Sequence, residues 1–174
     1  MAEQLAAWHD FYVIVGSAAA GLTGLMFVVV SLGTWTARSR SHPGFRAFVT
    51  PTVVFFASVL VTAAFLTVPW TRVEPVAAGL GAGSLAEIVY LLVIRGHRQW
   101  RQSKLDRLDW FWYVGFPIAT YAFGTVAAAT SLVRPALGLE LIGAVLVLLL
   151  VIGIRNAWDL VIWTTQQRSD QGSE

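Results

Sequence analysis

Phe11–Trp35 reads FYVIVGSAAAGLTGLMFVVVSLGTW, 25 residues without a charged side chain. A hydrocarbon core of about 30 Å is crossed by roughly 20 helical residues, so this run is long enough to span a bilayer. Water is absent there, and a helix satisfies its backbone polar groups internally. Ala47–Trp70 and Trp110–Val133 repeat the pattern, each with 24 uncharged residues. Pro75–Ile94 and Pro135–Ile154 carry one acid each, Glu87 and Glu140. Any one run would fit the buried helix of a soluble domain. Five runs in 174 residues leave hardly any chain to cover them, which excludes that reading.

Composition points the same way. Hydrophobic residues make up 56% of the chain and charged ones 13%, against about 25% charged in soluble domains. The expected fold is an all-α integral membrane protein with five transmembrane helices in a single membrane domain, 1–174. The helices are expected at roughly 10–35, 47–70, 75–95, 109–132 and 136–163, with a polar tail at 164–174. Met1–Asp10 has two acids and no Lys or Arg, and the apolar run behind it is too long for the core of a cleaved signal peptide.

Basic residues set the expected orientation. Arg38, Arg40 and Arg46 follow the first span; Arg95, Arg98, Arg101, Lys104 and Arg107 follow the third; Arg168 lies in the tail. Only Arg72 and Arg134 fall in the two short turns on the other side. Nine against two places the N-terminus outside and the C-terminus in the cytoplasm. Tryptophan, which favours the headgroup level, agrees, because all eight fall near expected span ends.

Small residues at four-residue spacing let membrane helices approach closely. Gly16, Ala20 and Gly24 form one such face, and Ala78, Ala82 and Ala86 another. Either face is read as packing within the bundle, or as a seam between copies in a homo-oligomer or a pore-lining face. Pro117 is expected to kink the fourth span, because its ring clashes with the Tyr113 carbonyl and removes a hydrogen bond. Pro51 is read as a helix initiator.

Ionisable groups inside a membrane are costly and mark functional candidates. Glu87 is the deepest, roughly 12 Å of helix from Arg95. It lies one position past the Ala78–Ala82–Ala86 face and is expected to point into the bundle or a subunit interface. A carboxylate there must take a proton, pair with a cation or meet water. That makes it either a protonated hydrogen-bonding group or a proton or cation carrier. Arg155 and Asp159 are one turn apart on the fifth span and can form an ion pair. They are read as a positional anchor or as one end of a permeation path. Glu140, near the start of that helix, suits the helix dipole. Asp10 and Asp109 read as caps of their spans. The Arg95, Arg98, Arg101 and Lys104 loop, with Trp100 inside it, suits anionic lipid headgroups.

Enzyme templates fail. No H-E-x-x-H, G-x-S-x-G or P-loop pattern is present, and His9, His42 and His97 all sit at membrane edges. Cysteine is absent, which removes disulfides, thiolate nucleophiles and Cys-based metal sites. No metal, cofactor or nucleic-acid partner is expected.

The run Trp8-His-Asp-Phe-Tyr, followed by Gly16-Ser-Ala-Ala-Ala-Gly-Leu-Thr-Gly-Leu-Met-Phe-Val, resembles a group of small uncharacterised bacterial multi-pass membrane proteins. The Arg155-Asn-Ala-Trp-Asp run is similar to theirs as well. The likeness covers the first and last helices and implies a bacterial inner-membrane location, with no established activity. The expectation is an oligomeric, non-enzymatic protein forming a channel or transport pathway for an ion or small solute. The alternatives are a non-conducting accessory subunit of a larger membrane complex and, third, a membrane-embedded enzyme.

Overall fold

The computed structural model describes residues 2–33, 43–95 and 111–171, and every regular element among them is helical. We label these α1 (Ala2–Ala7), α2 (His9–Gly33), α3 (Pro43–Thr67), α4 (Glu74–Tyr90), α5 (Phe116–Val133) and α6 (Pro135–Gln171). A π-helical turn, Leu91–Arg95, continues α4, and a second, Phe111–Gly115, leads into α5. Four stretches are long and apolar enough to cross a membrane: His9–Ser31, Glu74–Val93, Phe111–Val133 and Pro135–Ile162. α3 adds a shorter apolar stretch, Pro51–Thr67.

Proline and glycine chemistry explains where these helices depart from the hydropathy boundaries. α3 stops at Thr67 rather than at residue 70, because a residue preceding proline (here Val68 before Pro69) is disfavoured in the α region. Trp70 turns back on the helix end. Its backbone N–H donates to Val68 O at 2.8 Å and its indole Nε1 donates to Phe65 O at 2.7 Å. α4 begins at Glu74 with Pro75 in its first turn, where a missing N–H costs nothing. α3 begins at Pro43, which puts Pro51 inside the helix and not at its start. α6 does not stop near residue 163. It runs unbroken through 37 residues to Gln171, since Trp163–Gln171 contains no Gly or Pro.

The packing order is α2 on α3, α3 on α6, α6 on α5 and α5 on α4, with α1 resting on α2 and α6. α6 is therefore flanked on two sides and is the most buried of the spans. Tyr12, Phe55, Val59, Leu66, Val76, Leu139 and Leu146 form its surrounding core. Met26, Phe56 and Leu160 make a smaller cluster. With lipid outside, such contacts stabilise through close packing more than through the hydrophobic effect. Gly138 illustrates this: a Cβ there would fall 2.5 Å from Ser131 Cα, so the α5–α6 hairpin closes only because position 138 lacks one. α3 and α4 are joined by a short turn yet touch each other only sparsely. A cleft separates them.

Hydroxyls along the helices are mostly satisfied by their own backbone. Thr23, Thr120, Thr125 and Thr130 each donate to the carbonyl four residues earlier. This is the usual economy for Ser and Thr in a membrane helix.

Candidate functional site

The cleft between α3 and α4 encloses about 380 Å³. α5 and α6 form its floor through Tyr121, Gly124, Val145 and Leu149. Phe65 is among its lining residues, and its ring lies against Gly79 so closely that an added Cβ would meet it at 2.6 Å. Most of the wall is aliphatic. Ser58, Thr62, Ser84, Glu87 and Tyr121 supply its polar groups, and among the described residues no Lys, Arg or His lines it. A largely apolar pocket of this size with a few convergent polar groups suits a small molecule.

The polar groups meet at one place. The Ser58 hydroxyl lies 2.9 Å from Glu87 Oε1, and the Tyr121 hydroxyl donates to Ser58 Oγ at 3.2 Å. Ser58 Oγ is also within donating distance, 2.9 Å, of Val54 O on its own helix. Glu87, Ser58 and Tyr121 thus tie α4, α3 and α5 together through one hydroxyl. Helical spacing brings them there. Ser58 and Thr62 are four residues apart on α3, and Ser84 and Glu87 are three apart on α4, so each pair shares a helix face.

A second polar group lies where α5 begins. The Arg155 guanidinium carbon sits 4.0 Å from the centre of the Trp112 ring, a cation–π contact. The Tyr113 hydroxyl donates to Asp159 Oδ2 at 2.6 Å. Arg155 and Asp159 thus both reach across to the segment preceding α5. Pro117 explains how that segment presents them. The structure places Pro117 in the first turn of α5, directly after the π-helical turn Phe111–Gly115. A kink was expected at Pro117. The helix is interrupted on the N-terminal side of Pro117 by this wider turn, and Trp112 and Tyr113 lie within it.

The remaining predicted residues are dispersed. Glu140 is exposed on α6, away from the cleft lining. Gly16 packs on Ala63, whose Cβ would be 3.0 Å from an added methyl, whereas Ala20 is exposed and Gly24 faces open space. Ala78, Ala82 and Ala86 are exposed along α4. Arg95 ends the π-helical turn after α4; Arg98, Arg101, Lys104 and Asp109 lie outside the described residues. Among the described residues no group of three His, Cys, Asp or Glu could hold a metal ion.

Sequence reasoning singled out Glu87 but missed Ser58, Thr62, Ser84 and Tyr121, which share its cleft. A signal existed: polar side chains at i and i+3 or i+4 within otherwise apolar spans. Comparison with known proteins gives no match, whether to a family model, a curated protein or a solved structure.

Proposed function

We propose that the chain is a five-span bacterial inner-membrane protein, N-terminus outside and C-terminus in the cytoplasm, that provides a transport pathway for a small solute. The observation that carries the pathway is the α3–α4 cleft, with Glu87, Ser58 and Tyr121 converging on it from three helices. A carboxylate in the membrane interior is expensive to retain, and one facing a cavity large enough for a solute has a use for its charge. Pro43–Thr67 supplies the fifth span by its 25-residue length, and the nine-to-two distribution of basic residues supports the orientation.

The oligomeric part of this reading rests on a different feature. Ala78, Ala82 and Ala86 leave one side of α4 nearly smooth, and Ala20 and Gly24 do the same on α2. Such faces allow a second copy to approach closely. The cleft lies within one chain, so the pathway does not depend on a central pore between copies.

Uptake of radiolabelled benzyltrimethylammonium into proteoliposomes tests the pathway. Saturable uptake by the native chain, abolished by Gly83→Phe, supports it. Gly83 lines the cleft and an added Cβ there meets nothing within 4 Å, so a bulky side chain can be attached at the cleft wall without a clash at its first carbon. Uptake equal to that of empty liposomes counts against transport of this solute class.

A further inference from the structure

Counting protons around Ser58 restricts what the cleft can hold. A serine hydroxyl has one proton to give and two lone pairs to receive with. Tyr121 donates to Ser58 Oγ, while Val54 O and Glu87 Oε1 both lie 2.9 Å away. Val54 O only accepts. If Ser58 donates to Val54 O, its contact with Glu87 is attractive only when Glu87 carries the proton and donates it. If Glu87 is ionised, the Ser58 proton must turn to Glu87 Oε1, and the negative charge still has no counter-ion among the described residues.

Among the described residues the surroundings supply none. From α3 Glu87 meets the uncharged Ser58, and from α5 Tyr121; Tyr90 lies three residues on along its own helix. α6 contributes only aliphatic side chains to the cleft. An unpaired charge in so apolar a setting is strongly disfavoured. The cleft therefore has two electrically balanced states: a proton on Glu87, or a cation beside it.

We propose that the cleft binds a monovalent organic cation with an apolar body, and that binding exchanges this cation for the proton of Glu87. In the exchange the O–H bond of the Glu87 carboxyl breaks and its proton leaves to bulk water. Ser58 turns its own proton from Val54 O to Glu87 Oε1. The ligand's positive charge takes the place of the departed proton, so the charge in the cleft does not change. A bare metal ion fits poorly, since one carboxylate and a few hydroxyls fall short of the six or more oxygens that hard cations favour. The aliphatic wall suits a hydrocarbon body, and Phe65 and Tyr121 are among the residues that line the cleft.

This inference rests on reading the cleft as a solute site, and the test separates the two. The full-length protein in mild detergent is titrated with benzyltrimethylammonium by calorimetry in two buffers of different ionisation enthalpy. A quaternary ammonium carries no acidic proton, so any release comes from the protein. The expected result is saturable binding with release of about one proton per cation. Glu87→Gln keeps the side-chain shape; it should abolish the release and weaken binding at least about tenfold. Neopentylbenzene, the neutral isostere, should bind without proton release, and benzylsulfonate should not bind. Cation binding without proton release, or unchanged in Glu87→Gln, overturns the exchange. If neopentylbenzene binds and the cation does not, the cleft remains a solute site of the wrong charge class. If neither binds, both the exchange and the site fall.

Discussion

The Ser58 hydroxyl meets Glu87 Oε1 at 2.9 Å, across 29 positions of sequence and between two helices that otherwise barely touch. Neighbours in sequence, α3 and α4 are held to each other by this bond and by the Phe65 ring over Gly79, with an open cleft between.

Ser58→Ala removes the hydroxyl that joins Glu87 to Tyr121 and leaves the three helices packed as before. Hydrogen bonds between membrane helices contribute about 0.6 kcal/mol on average, so unfolding in detergent should be weakened by about that amount. A loss of about 3 kcal/mol, typical of an emptied core site, would mean Ser58 is a scaffold residue and not part of a functional cluster.

Two glycines should respond oppositely to the same change. Gly138→Ala drives a methyl into the Ser131 backbone and should destabilise the fold by about 1–3 kcal/mol. Gly24→Ala meets open space within a helix and should be neutral or stabilise by up to about 1 kcal/mol. Thermal unfolding of both variants in one detergent checks the contrast. Equal effects would mean that α5 and α6 are not in backbone contact at Gly138.

Much of the fold was legible because lipid imposes a simple rule: long uncharged runs must be helices. Phe11–Trp35 declared itself in that way, and Pro69, Pro75 and Pro43 explain where the neighbouring helices begin and end once local chemistry is applied. The cleft was less legible. Glu87 stood out as a lone acid, but Ser58 and Tyr121 look unremarkable in their own spans, and only the placement of α6 and α5 behind α3 and α4 brings them together. The Phe111–Gly115 turn was hidden for another reason. Pro117 signals a disrupted helix but not the form the disruption takes, and a π-helical turn on its N-terminal side has no sequence signature of its own.

That arrangement has its own test. Trp112 and Arg155 should show a coupling of about 0.5–2 kcal/mol in a double-mutant cycle for unfolding. Pro117→Ala removes the reason for the π-helical turn, which should tighten to α-helix and rotate Trp112 away from Arg155. The coupling should then fall to near zero. A coupling unchanged by Pro117→Ala would show that the proline does not position that turn.

Orientation can be read directly, because the native chain has no cysteine. Arg72→Cys should react with a membrane-impermeant maleimide from outside intact cells, and Ser169→Cys only after permeabilisation. Labelling of both from the same side would require an even number of spans between them, not the three of this account.

Reaching the cleft is the most direct test of a transport pathway. Thr62→Cys places a thiol on the cleft wall beside Ser58 and Glu87. In proteoliposomes with uniformly oriented protein, a water-soluble methanethiosulfonate should modify it when applied to either face, and benzyltrimethylammonium should slow both reactions. Failure of the reagent to reach Thr62→Cys from either face would contradict the account, since a cleft that water never enters cannot carry a solute.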